Sequence, residues 1–405
     1  MRLRSLDIFR GLSSITVLAH HAGIHFANTL HVDKAFPELI NLYDYFIFLL
    51  AKCADYGWFG VRLLFVLSGF CIYLTVAPKA KAPLPTFAFL RRRIFRLYPA
   101  YFAVFIFVAA FKLILNPDPG YIRHIIGHLF FWYYDFSTSP ATIHTYSSVF
   151  WSLSVIVQLY IIFALAHPLI KRLGVGRVCL LSLTFGIVWH IIAISIFKTH
   201  WNLPVYLYPR FFAPAKFGEW MLGAYLAHLW YNKQHATLLN RLKLKPRHLL
   251  ITSIIIFTTV VVTIESLHLH MSWRDSFNTP VSIAIFLLMY FGIMVEDQKC
   301  SQTTKSPVWL SNFIQRIGDR SYSLYLVHSA IISGFALITA KILHLNKAEM
   351  ACSPIWLLII LIGVVLSFVA TEFLYRFVEV PSHHFAKKFH TSKPTETTAP
   401  ANTPS

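Results

Sequence analysis

Apolar runs of membrane-spanning length recur from residue 8 to about residue 375, and no other feature constrains the fold as strongly. Spans read from the sequence cover 8–28, 57–77, 97–115, 151–170, 177–198, 211–231, 248–267, 279–295, 322–343 and 354–375. A bilayer's hydrocarbon core is about 30 Å thick, which a helix of roughly 20 residues crosses. No water is present there to bond the backbone, so each run must close its hydrogen bonds internally, as a helix does. Composition agrees: 56% of residues are hydrophobic and 13% charged, roughly half the ~25% charged share of soluble chains. The reading is an all-α integral membrane protein. Too little polar sequence remains for a separate soluble catalytic domain, and neither an internal repeat nor a domain boundary is visible. Residues 1–380 therefore read as one transmembrane domain.

The formal net charge is +19, which in a soluble chain would suggest nucleic acid. Here no basic module or stacking stripe accompanies it, and the plainer account is cytoplasmic loops enriched in Lys and Arg. The most basic connections run from Lys79 to Arg96, Lys171 to Arg177, Lys233 to Arg247 and Lys299 to Arg320, with Arg376, Lys387 and Lys388 beyond the last span. These connections fall on one side, together with Arg2 and Arg4, if the chain crosses ten times with both termini cytoplasmic. Two further apolar pieces, 39–54 and 122–134, then become short partial helices on the outer side. Met1 to Arg4 could open a signal peptide, but Asp7, Arg10, His20 and His21 interrupt the apolar stretch, so it reads as a retained first span. Residues 381–405 read as a cytoplasmic tail, and the Pro/Thr-rich part beyond about 390 as disordered. The five cysteines are scattered without metal-ligand or disulfide spacing, so no metal is expected. The bilayer is the one partner the composition implies.

Polar groups inside hydrocarbon are costly and mark function by default. Arg10 and His21 lie eleven residues apart in the first span, about 16 Å along a helix. Chemistry alone allows Arg10 to be a snorkelling arginine and His21 an interhelical hydrogen-bond partner. Arg91, Arg92, Arg93 and Arg96 precede the third span as a topology signal. Arg93 and Arg96, three apart, would also share a helix face and could grip a phosphate with paired guanidinium forks. Tyr160, Tyr325 and Trp151 read as interface-belt aromatics, and His328 as a lone imidazole that needs a partner.

Taken in order, these segments resemble the membrane-bound acyltransferase family 3. Ser5 to Gly11 with His20-His21 is similar to that family's "LDxLRG…H" opening, including its Arg-x10-His spacing. Gly60 to Phe70 resembles "GVDLFFVLSGF", Arg91 to Pro99 the basic "RxxR…YP" segment, and Trp151 to Tyr160 "WSLSVEEQFY". Ser321 to His328 resembles "SYSLYLWH", and Glu379-Val380-Pro381 the terminal "ExP". Each motif alone is weak, but in this order they cover nearly the whole chain. The resemblance implies acyl-coenzyme A, acetyl-coenzyme A above all, as donor. It implies a hydroxyl of an envelope glycan or lipid-linked sugar as acceptor, and a bacterial cytoplasmic membrane as location. It implies His21 and Arg10 as the catalytic pair, Arg93 and Arg96 on the donor, and Trp151, Ser152, Tyr160, Tyr325 and His328 on the acceptor side.

The chain departs from the pattern at two places. Arg62 stands where the family has an acidic residue after "GV", and Ile156-Val157 stand for its acidic pair. Glu219, inside the sixth span, is a possible replacement carboxylate, or else a buried structural one. Two other classes of function stay open at this level: a transporter or flippase lined by the intramembrane Arg and His, and a catalytically altered relative that binds its ligand as a sensor.

Overall fold

The computed structural model describes residues 3–30, 42–79, 83–115, 120–131, 149–198, 212–268, 275–300, 308–344 and 354–388. Among these the chain is helical throughout, with no strand. In chain order the helices are α1 (Arg4–Leu30), α2 (Leu42–Asp55), α3 (Phe59–Val76), α4 (Thr86–Leu115), α5 (Gly120–Leu129), α6 (Phe150–Leu173), α7 (Val175–Lys198) and α8 (Ala213–Tyr231). They continue with α9 (His235–Arg241), α10 (Pro246–Ser266), α11 (Asn278–Cys300), α12 (Val308–Asp319), α13 (Ser321–Ile342), α14 (Pro354–Leu374) and α15 (Val380–Lys388). A π-helical turn, Tyr375–Glu379, joins the last two.

Ten of the described helices have 18 residues or more, and they coincide in position with the ten apolar runs. Eight helical segments are long and apolar enough to cross a membrane. The other two runs, α1 and α8, carry ionisable residues through their length: Asp7, Arg10 and the histidines in α1, Lys216 and Glu219 in α8. The short pieces 39–54 and 122–134 correspond to α2 and α5. Residues 39–41 and 132–134 of these pieces and the tail beyond 388 lie outside the described residues.

One boundary differs from the sequence reading. The basic segment Arg91–Arg96 is not a loop ahead of a helix starting at 97, because α4 begins at Thr86 and carries all four arginines. Arg91 and Arg93 lay their guanidiniums over Phe87 and Phe89, 5.8 and 5.5 Å from the ring centroids, so aromatic faces let the charged turns stay helical. Beyond the last span, read as 354–375, the helical path continues. It runs on through α15, which packs on α4.

α3 packs extensively along α8. A Cβ on Gly69 would come within 2.0 Å of the Trp220 carbonyl oxygen, and one on Gly223 within 1.8 Å of that of Val66. Only glycine at both places lets the two backbones touch, the small-residue logic of membrane helix packing. Most buried apolar side chains form one core around α3, α4, α6, α8 and α11. A smaller core joins Leu18 of α1 and Ile317 of α12 to α13 and α14. α1 runs between the two. At its start the backbone amides of Arg4 and Ser5 donate to Glu296 near the end of α11, at 2.7 and 2.9 Å.

Candidate functional site

His20 and His21 are adjacent on α1, so their side chains diverge by about 100°. His20 turns to α2, its Nδ1 3.1 Å from the Ala54 carbonyl oxygen. His21 turns to α13. Its Nδ1 lies 3.0 Å from the carbonyl oxygen of Val17 one turn back and 3.3 Å from Nε2 of His328. The two rings meet edge to face, with centroids 5.0 Å apart. A carbonyl oxygen only accepts, so the neutral His21 ring carries its hydrogen on Nδ1 and its basic lone pair on Nε2.

His328 is buried and continues a polar line along α13. Its Nδ1 donates to the Leu324 carbonyl at 2.8 Å, and its ring packs against Tyr325, centroids 5.8 Å apart. The Tyr325 hydroxyl lies 2.5 Å from the Ser152 hydroxyl of α6. Both lie near the Val149 carbonyl oxygen, at 3.2 and 3.1 Å. That carbonyl belongs to the residue before the first turn of α6, so a helix N-terminus is sewn to the middle of the bundle through two hydroxyls. Trp151, next in sequence, faces another way, edge-on to Phe65 with ring centroids 6.5 Å apart.

A second group forms a few turns along. Arg10 pairs with Asp7 at 3.1 Å and reaches Sγ of Cys71 on α3 at 2.8 Å. Arg93 donates from Nη2 to the Thr75 hydroxyl at 2.7 Å, and its buried Nε has no hydrogen-bond partner. Arg96 is exposed, and Arg93 lies within electrostatic range of both Arg96 on α4 and Tyr160 on α6. Glu379, aimed by the π-helical turn, accepts from the Ser323 hydroxyl at 2.5 Å and feels the charge of Arg96. Tyr160 shares a 3.3 Å hydrogen bond with Ser68, to which Trp220 also donates at 3.2 Å. Between α4 and α6 on this side a cleft of about 450 Å³ opens, lined by Thr86, His167, Lys171 and Arg172 among others.

The sequence-derived set thus divides. His21, His328, Tyr325 and Ser152 form one connected line, while Tyr160 sits with Arg93 and Arg96, about 12 Å along α6 from Ser152. Arg10 and His21 share a helix but face different neighbours.

A third polar group lies wholly inside. Arg62 of α3 contacts Glu219 of α8 at 3.5 Å, and Lys216 contacts the same carboxylate at 3.1 Å, all three at 3% side-chain exposure or less. Ser282 of α11 adds a hydroxyl at 3.4 Å. Arg62 also lies over the Phe65 ring, 5.5 Å from its centroid, and within electrostatic range of Tyr325. Arg62 therefore meets a carboxylate supplied by another helix. Lys216, Thr75, Ser68, Cys71 and Ser323 were assigned no role from the sequence. Only Lys216 carried a signal, a lysine three residues from a glutamate in an apolar run. Among the described residues no group of three His, Cys, Asp or Glu side chains could hold a metal ion.

Comparison with known proteins assigns this architecture. A protein from Caenorhabditis elegans described as "Regulator of hypoxia-inducible factor 1" is 23% identical over 429 residues, covering 96% of this chain and 81% of its own. No solved structure matches. The family model described as an acyltransferase domain matches residues 3–372, from the first described residue to the last turn of α14. The chain is an integral membrane protein of the acyltransferase 3 family.

Proposed function

We propose that the protein moves an acetyl or other short acyl group from acyl-coenzyme A to a hydroxyl of a cell-envelope glycan or lipid-linked sugar. That acceptor class goes with a bacterial cytoplasmic membrane as the location, the basic ends of the helices and both termini facing the cytosol. The observation that carries the reading is the His21 ring. Its Nδ1 is committed to the Val17 carbonyl, which leaves Nε2 as the basic atom of a half-buried imidazole midway along α1.

On this reading Arg93 and Arg96 hold the donor's phosphates. The buried Arg93 Nε without a partner fits a guanidinium waiting for an anionic oxygen. His21 Nε2 takes the proton of the acceptor hydroxyl as the oxygen attacks the thioester carbonyl, and the proton then passes to the leaving coenzyme A sulfur. Arg10, three turns back along nearly the same face of α1, orients the donor or balances charge on the tetrahedral oxyanion. Trp151, Ser152, Tyr160, Tyr325 and His328 line the acceptor side.

Purified full-length protein given acetyl-coenzyme A labelled in the acetyl group tests this. Free thiol release and label appearing on envelope glycan are expected, both lost in His21→Ala. Thiol release and glycan label unchanged in His21→Ala would overturn the base assignment. A second reading draws on Arg62, Ile156 and Val157 at the family's acidic positions and on the relative described as a regulator: a family member that binds an acyl or glycan ligand as a sensor. Saturable acetyl-coenzyme A binding with no turnover would favour it.

A further inference from the structure

We propose that His328 is the positioning residue for His21: a neutral imidazole that accepts the His21 Nδ1–H, fixes its tautomer and steadies the charge it gains during transfer. The inference rests on the reading of His21 as base and gives His328, there placed on the acceptor side, a task that reading does not assign.

Three contacts fix the protons. His328 Nδ1 lies 2.8 Å from the Leu324 carbonyl oxygen, so it carries the hydrogen, and in the neutral ring Nε2 keeps the lone pair. That Nε2 faces His21 Nδ1 at 3.3 Å. Two lone pairs would repel across this gap, so His21 Nδ1 must be the donor. The Val17 carbonyl, 3.0 Å from the same atom, demands the same hydrogen independently. With both rings neutral, one arrangement satisfies these three contacts, and it leaves His21 Nε2 as the basic atom.

The reaction draws on this arrangement. As the acceptor oxygen bonds to the acyl carbon, its proton moves to His21 Nε2 and the ring becomes an imidazolium. The Nδ1–H contact to His328 then becomes charge-assisted, and such bonds are roughly twice as strong as neutral ones. When the carbon–sulfur bond breaks, the proton leaves Nε2 for the thiolate. His328 keeps its own proton throughout, and the ring that turned over is neutral again. His328 cannot readily share the proton, because two imidazoliums with centroids 5.0 Å apart would repel in the bundle interior. The titratable rings adjoining the pair include His20, 5.4 Å from His21, and Tyr325, 5.8 Å from His328. His20 is turned to Ala54, and neither takes the place between the two imidazoles.

The test compares His328→Phe, which keeps the ring volume and cannot accept, with His328→Gln, whose Oε1 reaches the position of Nε2. In purified protein with acetyl-coenzyme A, the Phe variant should lower kcat for thiol release by roughly 10–100-fold, with KM for the donor within about twofold. The Gln variant should recover at least about a third of the wild-type rate, and the acidic limb of the pH–rate profile should shift in the Phe variant alone. A KM effect with kcat unchanged, or equal loss in Phe and Gln variants that keep the wild-type melting temperature, would overturn the assignment. A second measurement needs no turnover. Carbethoxylation of His21 by diethyl pyrocarbonate, quantified by peptide mass spectrometry, should be several-fold slower in His328→Phe and near normal in His328→Gln. Equal rates in all three proteins would overturn the pairing even if every variant were inactive. If His21→Ala leaves thiol release intact while the carbethoxylation difference holds, the pairing stands and the base reading alone fails.

Discussion

Two polar groups inside the bundle, the His21–His328 pair and the Arg62–Glu219–Lys216 cluster, solve the problem of burial in opposite ways. The histidines each bond a carbonyl on their own helix, which a neutral ring can do, and meet across the seam between α1 and α13. The ionic cluster carries charge through the interior and survives because one carboxylate serves two cations. A neutral pair can gain and lose a proton at modest cost, since each ring is already bonded through its own helix without being charged. A buried carboxylate between two cations cannot, since taking its charge away strands its neighbours. The first arrangement suits chemistry, and the second suits holding α3, α8 and α11 in register.

The sharpest way to break this contrast is Glu219→Ala. Removing the carboxylate from between Arg62 and Lys216 should cost about 3–5 kcal/mol of stability, seen as a large drop in melting temperature or a failure to accumulate. Replacing all three residues with apolar ones of similar size should lose less than that single change. A Glu219→Ala protein as stable as wild type would mean that the cluster does not hold the helices.

His21→Gln should do the reverse. Its side chain keeps polar reach but cannot carry a proton, so transfer should fall by roughly 10²–10⁴-fold, with melting temperature little changed. A large stability loss with a modest rate loss would make the pair as structural as the cluster.

Arg93 tests whether the phosphate grip is separable from both groups. Arg93→Ala should weaken acetyl-coenzyme A binding by about 1.5–3 kcal/mol, the worth of a hydrogen bond to a charged group, roughly 10–150-fold in Kd by calorimetry. Arg93→Lys should fall between, since it keeps charge and loses the fork. Identical affinity in all three would leave the arginines only a topology signal.

The smallest effect is expected at Tyr325→Phe. It deletes one hydroxyl from the Val149–Ser152–Tyr325 arrangement and should cost about 0.5–1.5 kcal/mol, a shift of a few degrees in melting temperature. A loss of transfer as complete as that of His21→Gln would move this hydroxyl from lining the site to the reaction itself.

The positions of the long helices were legible in the sequence because a spanning helix leaves a run of apolar residues that needs no partner to be recognised. The divergence of His20 and His21 was legible too, since adjacent residues point about 100° apart on a helix, and the structure turns them to Ala54 and His328 respectively. Meetings between helices were less accessible. Arg62 read as a missing carboxylate because its partner Glu219 lies 157 positions away. Nothing local encodes that contact. It follows from the rotation of α3 against α8, which Gly69 and Gly223 set by letting the backbones touch. The start of α4 was misjudged for a related reason: four arginines look like a loop until Phe87 and Phe89 are counted as their platform.

The π-helical turn at Tyr375–Glu379 makes the end of the chain sensitive to length as well as to composition. Each residue of an α-helix turns the chain by about 100° and advances it 1.5 Å. A wider turn at one place resets the phase of everything after it. Deleting a single residue there, Val378 for example, would let α14 and α15 run on as one regular helix, with Glu379 carried away from Ser323 and α15 rotated off α4. A substitution at the same site leaves that phase intact. Shortening by one residue where a conservative exchange is tolerated is the behaviour of a spacer, and it makes residues 375–379 the place where the closing helix keeps time with the fourth.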